Sequence, residues 1–177
     1  MSEKKRLATV WLDGCSGCHM SFLDMDERIL DLARLASVVY SPLVDAKVFP
    51  DDVDVTLVEG SVATDEDEEK IRHIRARSRV LVSLGDCAVT GNVSAMRNPF
   101  EVRSVFERAY RDNADSALMP SVRLPVLRDR VVPVHAIVDV DLTLPGCPPS
   151  ADVIHWAVCE LVAGRMPDVS ARTRFGA

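Results

Sequence analysis

Three short glycine-bearing loops, each carrying cysteine and each standing directly behind an apolar run, constrain this chain more than any other feature. The first is Asp13-Gly14-Cys15-Ser16-Gly17-Cys18, behind Leu7 to Leu12. The second is Gly85-Asp86-Cys87-Ala88, behind Val80 to Leu84, and the third is Pro145-Gly146-Cys147-Pro148-Pro149-Ser150, behind Ile137 to Leu144. Short continuous apolar runs closed by turn residues predict strands buried on both faces. Ser37 to Val44 and Val53 to Val58 predict two more, the latter ending in Glu59-Gly60-Ser61.

Between the runs the apolar spacing becomes helical. Phe22, Met25, Ile29, Leu32 and Leu35 or Ala36 share one face, as do Phe100, Val102, Val105, Phe106 and Ala109. Ile154, Ala157, Val158, Leu161 and Val162 do the same in a last helix from Ala151 to about Ala163. The acidic block from Asp65 to Glu69, followed by Lys70, Arg72, Arg75, Arg77 and Arg79, matches a solvated helix with its macrodipole complemented and Thr64 as N-cap.

Strands alternating with helices predict an α/β fold: a flavodoxin-like parallel five-stranded sheet, order 2-1-3-4-5, with helices on both faces. At 177 residues the chain is expected to form a single domain, 1–177. Pro120, Pro125 and Pro133 break an irregular excursion at about 111–135, expected to touch a partner. The loops after the first, third, fourth and fifth strands then lie side by side at the carboxyl edge, where such sheets bind ligands.

That topology aims Cys15, Cys18, Cys87 and Cys147 at one crevice, as a four-thiolate metal site. Gly14, Gly17, Gly60, Ser61, Gly85, Gly146 and Pro148 form the small or rigid cradle around it. Four thiolates suit zinc or an iron–sulfur cluster. Structural zinc commonly takes two close pairs, whereas only the first pair is close here, which favours a [4Fe-4S] cluster while leaving zinc open. A dithiol redox catalyst would use Cys15 and Cys18 alone and leave the other two unexplained. Cys159, among Ala157, Val158 and Leu161, is expected to be core packing. Glu59, at a strand end beside the site, is the candidate for proton handling. His19 follows a ligand directly and either tunes the site, carries protons or sits at a surface. His73, His135 and His155 have no companion in sequence that sets them apart.

A net charge of −6 disfavours nucleic acid. No apolar stretch reaches the roughly 20 residues of a membrane span, and the run after Lys4-Lys5-Arg6 is too short for a signal peptide. No membrane association and a cytoplasmic location are therefore expected, where five cysteines argue for metal, catalysis or burial rather than disulfides.

The three cysteine loops, the second followed by Gly91, together with Glu59-Gly60-Ser61, resemble the proximal-cluster motifs of [NiFe]-hydrogenase small subunits, over nearly the whole chain. Cluster-bearing subunits of respiratory NADH dehydrogenases typically carry adjacent cysteines at the first position, whereas Ser16-Gly17 separates Cys15 from Cys18. With no twin-arginine leader and no two-cluster extension, the chain is similar to the short small subunit of soluble, bidirectional NAD-reducing hydrogenases. The resemblance implies that Cys15, Cys18, Cys87 and Cys147 bind one [4Fe-4S] cluster. It also implies a hydrogenase large subunit carrying the Ni-Fe site, diaphorase iron–sulfur and flavin subunits that hold FMN and reduce NAD⁺, and an electron-relay role for this chain, with no catalysis of its own. The loop where a flavodoxin holds its phosphate is taken up by Cys15 and Cys18, so FMN is not expected in this chain. The alternatives are a zinc-stabilised interaction domain and a respiratory-type subunit.

Overall fold

The computed structural model describes residues 4–115 and 122–176. Five parallel strands form the main sheet, in the order β2-β1-β3-β5-β7. They are β1 (Lys5–Trp11), β2 (Ala36–Tyr40), β3 (Val53–Glu59), β5 (Ser78–Leu84) and β7 (Leu142–Leu144). Counting only these strands, the order is the expected 2-1-3-4-5. The central strands are buried along most of their length, and alternate residues feed two cores. Leu7, Val55, Leu57, Val82 and Leu84 pack with α1 (Gly17–Leu23), α2 (Arg28–Leu35) and α6 (Ala151–Val162). Ala8, Val10, Val58 and Leu81 pack on the other face with Ile71 and Ile74 of α3 (Asp65–Arg75) and Ala88 of α4 (Gly85–Thr90). The helices thus lie on both faces, as expected.

Thr64 caps α3 in a capping box: its hydroxyl accepts from Asp67 N at 3.0 Å, while Asp67 Oδ2 accepts from Thr64 N at 3.0 Å. Elsewhere the elements differ from the sequence reading. The helix expected from Phe22 to Ala36 is two helices, because the chain turns at Asp26 (φ 52) and folds Met25 inward to 1% exposure. β2 stops before Pro42, which has no N–H for a ladder. β7 is shorter than the expected 137–144, since Asp141 Oδ2 takes the Leu81 N–H at 2.8 Å, where a strand carbonyl would otherwise sit.

Within the stretch read as irregular, β6 (Leu127–Val132) forms an antiparallel ribbon with β4 (Val62–Thr64). Asn98 acts as a third strand for this ribbon, donating to Val131 O at 2.9 Å and accepting from Val131 N at 2.7 Å. The remainder of that stretch falls partly outside the described residues. α5 (Val102–Glu107) continues as one π-turn over Arg108–Asp112, and none of its residues is buried. Among the described residues, its apolar positions therefore do not enter a core. Among the described residues no helix is long and apolar enough to cross a membrane.

Candidate metal centre

Parallel pairing of β1, β3, β5 and β7 in register brings their carboxyl ends, and the loops after them, to one edge. Cys15 and Cys147 are exposed there, whereas Cys18, in the first turn of α1, and Cys87, in α4, are half-buried. Burial pushes the Cys18 thiol far above its ordinary value, and the charges of Glu59, Cys87, Cys15 and Cys147 add to the rise. Such coupling requires the other three sulfurs to lie within Coulombic reach. Cys87 is raised too, by burial first and then by Cys15 and Cys147, while hydrogen bonds from the Asn92 side chain and the Val93 backbone oppose the rise. Asn92 Nδ2 also donates to Cys147 Sγ at 3.5 Å.

The cradle residues do different work. Gly85 (φ +82) packs so tightly on Cys18 that a Cβ there would lie 2.2 Å from its Sγ. At Gly60 (φ +89) a Cβ would fall 2.8 Å from Leu12 C, so β3 and the first cysteine loop touch backbone to backbone. Gly14 faces Gly60, and Gly17 faces Cys15 Sγ at 3.3 Å from the position of its own absent Cβ. Ser61 is spent on positioning: it exchanges backbone hydrogen bonds with Asp13 at 2.8 and 3.1 Å, and its hydroxyl donates to Asp13 O. Gly146 exchanges hydrogen bonds with Asp86, and the Cys147–Pro148 peptide is cis. Ser21 of α1 donates to Pro149 O at 2.6 Å, closing the cradle on the α6 side.

His19 and Glu59, 6% and 2% exposed, form a buried pair. Glu59 Oε2 accepts from His19 N at 2.7 Å and from Nδ1 at 2.6 Å, so one carboxylate holds the start of α1 behind Cys18. His19 Nε2 is 2.9 Å from Thr9 Oγ1, which donates to Ser41 Oγ at 2.8 Å. His19 is therefore not a surface histidine. Cys159 is half-buried rather than sealed in the core, because α6 turns it toward His155 Nε2 at 3.6 Å. Three contributors escaped the sequence reading: the His19–Glu59 pairing, the Asn92 donor and the Asp86 carboxylate. The first two join residues 40 and 55 positions apart, which no local pattern marks. Asp86 had one signal, an acidic residue squeezed between a strand-end glycine and a cysteine.

The residues fit a thiolate-bound metal centre. Four thiolates within Coulombic reach would repel one another, so ionising them together calls for cationic charge, as ligation supplies. The Gly85 cradle leaves the Cys18 sulfur free of side-chain crowding from that strand end. Among the described residues no three His, Cys, Asp or Glu side chains gather as a single metal ion would need.

The sequence family described as NADH ubiquinone oxidoreductase, 20 Kd subunit, matches residues 15–161, a span that holds all four loop cysteines. The chain belongs to that family. Its relatives there are hydrogenase subunits. The chain is 40% identical over 172 residues to NAD-reducing hydrogenase HoxS subunit delta of Cupriavidus necator, covering 94% of this chain and 82% of the relative. It is 38% identical over 171 residues to an F420-non-reducing hydrogenase subunit of Methanothermobacter thermautotrophicus, covering 93% of this chain but 55% of that longer relative. A solved structure described as NAD⁺-reducing [NiFe]-hydrogenase in the H₂-reduced state matches with a TM-score of 0.92 and 39% identity, over 98% of this chain and 99% of that one.

Proposed function

We propose that this chain is the electron-relay small subunit of a cytoplasmic NAD-reducing [NiFe] hydrogenase, with Cys15, Cys18, Cys87 and Cys147 holding one [4Fe-4S] cluster. The observation that carries the reading is the end-to-end match with a chain of an NAD⁺-reducing [NiFe]-hydrogenase, in a fold that sets the four cysteines at one edge. When bound, a cluster with four cysteine ligands supplies single-electron transfer and leaves no open position for substrate. Hydrogen cleavage and hydride transfer then belong to partners: a large subunit with the Ni-Fe site, and diaphorase subunits with flavin.

The chain's own residues would bind, shield and tune. Burial of Cys18 keeps water from the inner side. Glu59 fixes α1 and places a carboxylate beside the sulfurs. Its 2.6 Å contact with His19 Nδ1 is the place in this chain where proton handling would be sought. On the outer side Val93, Met96 and Phe100 expose 63, 71 and 62% of their surfaces next to the Cys87 helix, an apolar rim suited to the large subunit.

The reading is tested in the purified complex. Cys147→Ser is expected to lose hydrogen-dependent NAD⁺ reduction while the subunits still co-purify, and Cys159→Ser to retain it. A Cys147→Ser complex that reduces NAD⁺ with hydrogen at the wild-type rate would sink the relay role.

A further inference from the structure

We propose that Asp86 is a positioning residue for the cluster, its one carboxylate tying the Cys87 loop to the Cys147 loop and to the segment that follows α6. The inference rests on the cluster reading above. Asp86 is 6% exposed, and both of its carboxylate oxygens are engaged. Oδ1 accepts from Gly146 N at 2.7 Å, and Asp86 N donates back to Gly146 O at 2.9 Å. Asp86 immediately precedes Cys87, and Gly146 immediately precedes Cys147. This closed pair of bonds therefore sets the two single-cysteine loops against each other at matching positions. Neither loop is a neighbour of the other in sequence, and β7 pairs with β5 over only three residues, Val82–Leu84 with Leu142–Leu144. The carboxylate extends that short ladder to the ligands themselves.

Oδ2 accepts from Gly176 N at 2.7 Å. Nearer α6 the segment is held by buried Pro167 and by Val169, which packs against the core, by a turn in which Arg172 and Thr173 donate to Val169 O, and by Arg172, whose guanidinium lies 4.2 Å from the Trp156 ring centroid. Between Arg172–Arg174 and the Pro145, Pro149 and Ser150 loop lies a cavity of ≈ 270 Å³, so the segment bridges a gap to reach Asp86. Asp86 is where it is tied down beside the cysteines. An asparagine cannot serve both arms, because it has one acceptor oxygen and its NH₂ would confront the second N–H donor. One buried donor would be left unpaired.

The test uses the whole complex, purified without oxygen, with hydrogen exchange at the Gly146 and Gly176 amides, iron release to a ferrous chelator, and EPR of the reduced protein. In the wild type both amides are expected to be protected. Asp86→Asn is expected to release iron roughly tenfold faster, to lose protection at one or both amides and to change the EPR line shape. Gly176→Pro, which removes the outer donor and forces the backbone there from φ +69 to the negative φ of proline, releases that arm while leaving the Gly146 arm intact, and is expected to speed iron release less and leave Gly146 protected. Wild-type iron release, exchange and line shape in Asp86→Asn would overturn the proposal. If Asp86→Asn fails to assemble, unprotected Gly146 and Gly176 amides in the wild type would overturn it instead. A wild-type complex without iron in this chain would refute the cluster reading, while the exchange data still report on the tie itself.

Discussion

Cys15 and Cys18 stand three residues apart on one loop and meet different surroundings. Cys18, with Cys87, belongs to an inner half: its sulfur rests on Gly85, Glu59 lies within Coulombic reach, and the His19–Glu59 pair braces its helix from behind. Cys15, with Cys147, belongs to an outer half that is exposed, and the Asn92 amide links the two halves by reaching both Cys147 and Cys87. Under the proposed relay role the inner half would set the charge and water content around the centre, and the outer half would face the partner.

The largest expected effect breaks the inner half. Gly85→Ala puts a methyl 2.2 Å from the Cys18 sulfur on a backbone at φ +82, so either sulfur or strand end must move. The left-handed backbone alone costs about 1–2 kcal/mol for a residue with a Cβ, and iron content is expected to fall by roughly tenfold or more. Metal analysis of the purified variant checks this, and normal iron would mean that Cys18 is not held where the inner half requires it.

A smaller effect probes charge. Glu59→Gln keeps an acceptor for His19 but removes a negative charge near the sulfurs, so the more reduced state becomes easier to reach. The midpoint potential is expected to rise by on the order of 50–100 mV, read by EPR-monitored redox titration. The smallest effect has the opposite sign. Asn92→Ala deletes an N–H donor that favours the more negative sulfur of Cys147 and of Cys87. A hydrogen bond of about 0.5–1.5 kcal/mol corresponds to a fall of about 20–60 mV for one electron. Shifts of the same sign in the two variants would contradict the opposite roles assigned to the Glu59 charge and the Asn92 donor.

The parts of this account that the sequence made legible are those in which burial writes a continuous pattern. β1, β3 and β5 are covered on both faces and read as apolar runs, so their order and the shared edge could be argued from alternation alone. The cysteines announced themselves by type and by the glycines beside them. What was not legible depends on single polar side chains acting at a distance. Asn98 supplies partners to Val131 in a ribbon whose Leu127–Val132 strand is half charged and has one buried residue. Asp141 ends the β5–β7 ladder early, and Asp26 accepts a left-handed turn that splits a helix whose apolar spacing runs on unbroken. His19 looked ambiguous because its partner lies on another strand. Asp86 looked like part of a loop because its hydrogen bonds reach 60 and 90 residues away.

The central claim is that four cysteines from three loops hold one iron–sulfur cluster, and metal and acid-labile sulfide analysis of the anaerobically purified chain, with EPR after reduction, tests it most directly. The account predicts a brown protein with about four irons and four sulfides per chain and a spectrum of one spin-half centre. A colourless protein carrying about one zinc and no labile sulfide would contradict it.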